Sequence, residues 1–192
     1  MSGRHGRQRK HAAPGLELRS EKPALMASVD PTDFPARMDR VRRLVRAVAL
    51  QNDKDATTEL LTSQPELLCL IADLAMSCVH LLQRLAAHTA ETPTEMLADF
   101  AVPDSVIFAI DALPGLTSTR QDVAEMQVNG LVKLALSENG PAIGFATGTL
   151  LEQHRLTGPL LLAGMAALLV NSLAAAEAVA PSIVLAGLRA GP

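Results

Sequence analysis

The chain has 192 residues, 48% of them hydrophobic, 2% aromatic and 19% charged, with no Trp, no Tyr, two Cys and a formal net charge of −3. That composition excludes a chain disordered throughout, a disulfide-stapled secreted scaffold, an aromatic membrane belt and a base-stacking platform built on Trp or Tyr. The net charge hides a division: residues 1–46 hold eleven Lys or Arg against five acids, or +6, and residues 47–192 hold six against fifteen, or −9. A basic arm on an acidic body points to nucleic acid, an anionic surface or an acidic partner. Equally, such an arm keeps a protein soluble or folds against its own acidic body.

Residues 1–32 are expected to form a disordered basic arm, because Gly, Pro, Ser and charge dominate and no apolar period appears. Arg4, Arg7, Arg9 and Lys10 fall in it, with no apolar run behind them, so the segment does not read as a secretory signal. The protein is therefore expected in the cytoplasm, with the thiols of Cys69 and Cys78 reduced.

Order is expected from Asp33, where Asp33 or Thr32 can cap a helix whose first turn holds Pro35. Met38, Val41, Leu44, Val45 and Val48 then recur at spacings of three and four and mark one apolar face. Arg40, Arg42, Arg43 and Arg46 spread over the opposite arc, which is either a solvated face or a surface for a partner or phosphate. A short helix over Asp55–Ser63 follows. A long one from Pro65 to about His88 is apolar on more than half its circumference and must be largely buried in a bundle. Thr92-Pro93-Thr94-Glu95 is a capping box with an initiating proline, opening a short helix through Met96, Leu97 and Phe100. Residues 102–118 read as a connector, and a new helix is expected near Ser118 or Thr119, with Gln121 and Asp122 in its first turn.

The two halves can be laid on each other. Leu44-Val45-Arg46 meets Leu131-Val132-Lys133 and Asn52 meets Asn139 at an offset of 87. Thr57, Leu60 and Leu61 meet Thr147, Leu150 and Leu151 at 90, Leu70 to Leu82 meet Leu161 to Leu173 at 91, and Pro93 and Leu97 meet Pro181 and Leu185 at 88. The expected fold is an all-α bundle of two tandem, pseudo-twofold-related units, 33–101 and 119–192. Each unit runs medium, short, long, short, and the two pack as one domain by their long helices. Leu156–Ala176 is a run of 21 uncharged residues, long enough to span a bilayer. Its counterpart carries Asp73, His80 and Arg84, so no membrane span is expected and both are assigned to the core.

Catalytic and metal-binding patterns are sparse. The cysteines lie nine residues apart on one helix and so on opposite sides of it. None of His5, His11, His80, His88 and His154 has a ligand partner at helical spacing. Asp73 and His80, seven residues apart, could form a buried relay, but nothing nucleophilic completes it. Gly140, Gly144 and Gly148 form a stripe that would let another backbone approach closely. A phosphate cradle there lacks the Lys-Ser/Thr of a P-loop and a preceding strand. No catalytic residue, cofactor or metal is assigned, and an enzyme is not expected.

The run LVRAVALQNDKDATTELLTSQPELLCLIADLAMSCVHLLQRLAAHTAETPTEMLADFA combines a Leu-Val helix, an acidic turn, a short Leu-Leu helix, a long Leu/Ala helix and Thr-x-x-x-Pro-x-x-x-Leu. It resembles small all-helical actinobacterial proteins of unknown function, over residues 38–101 and more faintly over 123–188. The resemblance implies a bacterial source of high GC content and carries over no active residue, ligand or reaction. Three readings follow. The first is a non-enzymatic interaction or accessory protein that docks a protein partner by a helical surface, with a homodimer as a further option. The second is weak, sequence-independent nucleic-acid association through Arg4, Arg7, Arg9, Lys10, Arg40, Arg42, Arg43 and Arg46. The third is an apolar small-ligand binder with a pocket between the long helices.

Overall fold

The computed structural model describes residues 33–98 and 121–188, so the basic arm, the connector and the helix start at Ser118 or Thr119 lie outside the described residues. Among the described residues there are eight helices and no strand: α1 (Phe34–Ala49), α2 (Asp53–Leu60), α3 (Gln64–Ala86), α4 (Pro93–Ala98), α5 (Gln121–Leu136), α6 (Gly140–Gln153), α7 (Thr157–Glu177) and α8 (Pro181–Ala186). The fold is all-α.

The starts follow local chemistry. Pro35 occupies the first turn of α1, where its missing N–H costs nothing. Asp33 holds the N-cap position without a side-chain cap bond, so the proline is the stronger of the two start signals. At α4 the Glu95 amide donates to Thr92 Oγ1 (3.3 Å) and the Thr92 amide donates to Glu95 Oε2 (2.8 Å), completing the box read from the sequence. The Thr92 amide first, and then the Thr92 hydroxyl (2.7 Å), donate to the Glu95 carboxyl and hold it below its ordinary range. α3 has a second box, Ser63 with Glu66, that the sequence reading passed over.

Two differences from expectation concern the short helices. α2 begins two residues earlier than read, because Asn52 accepts from the Asp55 amide (3.2 Å) and caps it. It stops at Leu60, because Ser63 and Pro65 begin α3 immediately afterwards and α2 cannot run through them. α6 meets no such stop and reaches 14 residues against the eight of α2, so the second unit is not medium, short, long, short.

The turns after α1 and α5 have the same hydrogen bonds. Gln51 (φ 53°) and Glu138 (φ 56°) are left-handed. Asn52 N–H donates to Ala47 O and Gln51 N–H to Val48 O; Asn139 N–H donates to Leu134 O and Glu138 N–H to Ala135 O. Each is a Schellman ending, with the next Asn capping the following helix. Thr57 donates back to Asp53 O (2.7 Å) and Thr147 to Ile143 O (2.8 Å).

The long helices α3 and α7 pack on each other at the centre, and each is flanked by both α1 and α5. Fifteen of the 21 residues of α7 are buried, which is why it is apolar all round and shows no polar face. Close approach is visible at Gly158, where a Cβ would lie 2.7 Å from Leu150 Cγ. At the other end, Arg84 donates to both carboxylate oxygens of Glu177 (2.7 and 2.8 Å), so the C-terminal ends of α3 and α7 lie side by side. α3 and α7 are long and apolar enough to cross a membrane by length and composition, and 72% of the most apolar window of each is buried within the fold.

Candidate functional site

The arginines of α1 sort into two groups. Met38, Val41, Leu44, Val45 and Val48 turn into the core, which leaves Arg37, Arg40, Arg42, Arg43 and Arg46 on the outer arc. Arg37 forms a bidentate pair with Asp73 on α3 (2.9 and 2.8 Å) and lies 5.8 Å over the Phe34 ring. Arg43 pairs with Glu59 (2.6 Å), and Arg40 donates to Thr62 Oγ1 (3.1 Å) within 3.6 Å of Glu59 and of Glu66. Arg42 reaches Asp39 (2.7 Å) and donates to the Leu188 carbonyl (3.0 Å). Carboxylate hydrogen bonds, first for each, raise the Arg37 and Arg43 guanidinium pKa values further. Arg46 is exposed and makes no ion pair with a described residue.

The structure therefore brings Arg40 and Arg43 together around Glu59 and leaves Arg46 apart. Arg4, Arg7, Arg9 and Lys10 lie outside the described residues. Sequence reasoning missed Arg37, whose only signal was the acid it neutralises: Asp73, 5% exposed in an apolar helix. With both oxygens of Asp73 accepting from Arg37, the Asp73–His80 relay is not what organises this carboxylate. The cleft beside the pair, about 180 Å³, is lined by Arg37, Arg40, Arg43, Glu66, Cys69 and Asp73. Each of its arginines already holds a carboxylate: Arg37 holds Asp73, Arg43 holds Glu59, and Arg40 lies near Glu59 and Glu66.

The second cleft is different in kind. It is a groove of about 610 Å³ with three helical walls. α1 contributes Arg42, Val45, Arg46 and Ala49, at the i, i+3, i+4, i+7 positions of one stripe, with Arg43 beside them; α7 contributes Ala167, Val170 and Asn171; α8 contributes Pro181, Ser182, Leu185 and Ala186. Leu50, 65% exposed, stands at its end, and the exposed Ile183 neighbours its α8 wall. Most of the lining is aliphatic, and no acid is part of it. Neither of these two clefts is walled by both long helices.

Gly140 and Gly144 would accept a Cβ with nothing within 4 Å, so no backbone closes on that part of the glycine stripe. Cys69 and Cys78 are buried free thiols; Cys78 donates to the Leu162 carbonyl (3.6 Å), and burial pushes its pKa up to about 12. His88 lies 3.6 Å from Glu177. No group of three His, Cys, Asp or Glu side chains able to hold a metal occurs among the described residues. No family model, curated protein or solved structure matches the chain.

Proposed function

We propose that this is a non-enzymatic interaction protein that docks a protein partner in the groove between α1, α7 and α8. The observation that carries the reading is the groove itself: an open aliphatic trough flanked by the 65%-exposed Leu50 and by Arg46, which makes no ion pair with a described residue. Apolar surface left open beside a stable core is the usual mark of a helix-in-groove contact. The nucleic-acid reading is weaker, because Arg40, Arg42 and Arg43 already spend their charge on Glu59, Glu66 and Asp39. Selection from a displayed library of random 16-residue peptides tests the docking reading. Enriched peptides are expected to lose binding to an Ala49→Glu variant, an exposed position in the groove wall. Enrichment of peptides that bind that variant equally well would remove it.

Two structural readings belong to the same proposal. The chain is a tandem duplication, supported by the matching Schellman turns at Gln51 and Glu138 and the matching Asn caps and Thr back-bonds. It spans no membrane. That is supported by the burial of α3 and α7 and by the ion pairs Asp73–Arg37 and Arg84–Glu177 at α3. The chain is expected to stay in the supernatant after ultracentrifugation without detergent, and recovery only from detergent extracts would contradict it.

A further inference from the structure

We infer that the occupant of the groove is a short amphipathic helix carrying an acidic residue beside its apolar face. This rests on the docking reading above and adds the partner's chemistry. The α1 wall covers two turns, Arg42 to Ala49, about 10 Å, which is the length of helix that three or four apolar residues at i, i+3, i+4 and i+7 present. The floor is built from Val45, Ala167 and Val170, all buried and none aromatic, so it receives aliphatic side chains and offers no ring to stack on.

Charge selects among such helices. Three arginines line the groove and no carboxylate does. Arg42 and Arg43 each pair with a carboxylate, Asp39 and Glu59, although the buried Arg42 Nε has no hydrogen-bond partner among the described residues; Arg46 is the exposed guanidinium of the three that makes no ion pair with a described residue. A carboxylate one turn from the partner's apolar residues would meet it with a charge-assisted hydrogen bond. A lysine there would meet three arginines. Duplex DNA could satisfy Arg46 but has no aliphatic knob for the trough.

The test uses the full chain and three fluorescein-labelled 16-residue helical peptides that share four leucines at i, i+3, i+4 and i+7. Their flanking positions are all Glu, all Gln or all Lys. Fluorescence anisotropy is expected to rank them Glu, Gln, Lys, with at least a tenfold gap between the ends at low salt. That gap should shrink in concentrated salt as the Debye length falls. Arg46→Glu, at an exposed position, is expected to reverse the order, and Ala49→Glu to abolish binding of all three. Equal affinities, or Lys tightest, with binding still lost in Ala49→Glu, would overturn the acidic partner and leave the docking groove standing. Absence of binding by every peptide, or binding indifferent to Ala49→Glu, would overturn both. Displacement of the Glu peptide by a 20-base-pair duplex would give the groove to nucleic acid. A wild-type dimer that Ala49→Glu turns monomeric would give it to a second copy of the chain.

Discussion

Asp73 is a carboxylate in the apolar middle of α3, and Arg37, 36 residues earlier in the chain, is what makes it tolerable there. Removing one partner of such a pair leaves a buried charge uncompensated. The Arg37 side chain keeps 27% of its exposure, so water screens part of the loss, and Arg37→Met is expected to cost about 2 kcal/mol rather than the full 3–5 of a closed site. Replacing both residues, Arg37→Met with Asp73→Leu, should recover most of it in urea unfolding; a double variant as unstable as the single would show that the pair is not the cause. The Cys78 thiol makes a second residue-scale prediction. Its folded pKa is raised to about 12 by burial, from an ordinary value of 9.0. A raised pKa favours the folded state fully below pH 9, and the advantage is lost as pH climbs from 9 towards 12, on the order of 4 kcal/mol across the window. Cys78→Ala should flatten that part of the alkaline stability curve relative to wild type; identical curves would refute it. The sequence displayed Asp73 as an oddity but not its partner, because one arginine among five on α1 has no local mark of reaching α3.

Elements were more legible than single contacts, since caps and prolines act within four residues. The Thr92–Glu95 box and the first-turn Pro35 could be read directly, and the long helices were visible from their apolar circumference. The unequal lengths of α2 and α6 were not, because α2 ends through competition with the Ser63–Pro65 start of α3. Positive φ at Gln51 and Glu138 is likewise invisible in residues that are neither Gly nor Asn. Gln51→Gly and Glu138→Gly are each expected to raise stability by about 0.5–1 kcal/mol, since glycine carries no Cβ penalty in the left-handed region. A gain at one and a loss at the other would argue against equivalent turns. Gly158→Ala tests the α6–α7 approach: its Cβ would press on Leu150, a buried side chain, at an expected cost of about 1–3 kcal/mol. Thermal unfolding with and without Leu150→Ala should show the two substitutions coupling rather than adding.

At the scale of the whole molecule, the all-α class followed from composition and period, but the groove could not. Its walls come from residues 42–50, 167–171 and 181–186, which meet only after α7 has packed across α1 and brought α8 with it. The four arginines read as one surface on α1 divide by their partners: Arg40 and Arg43 pair with acids on α2 and α3, Arg42 pairs with Asp39 on α1 itself, and Arg46, on the trough, pairs with no described residue. Local sequence records the charges; tertiary packing decides which of them are still available. The same division explains why a +6 N-terminal quarter does not translate into an equally basic helix surface. The central claim is that the trough, and not the arginine–carboxylate cleft, is the working surface. Methyl-resolved NMR of the Leu, Val and Ala side chains, recorded while the Glu-flanked peptide is added, tests it most directly. Shifts concentrated on Val45, Ala49, Leu50, Val170 and Leu185, with Leu70 unmoved, are the predicted result; shifts centred on Ala36 and Leu70 beside Arg37 and Asp73, or no shift at all, would contradict it.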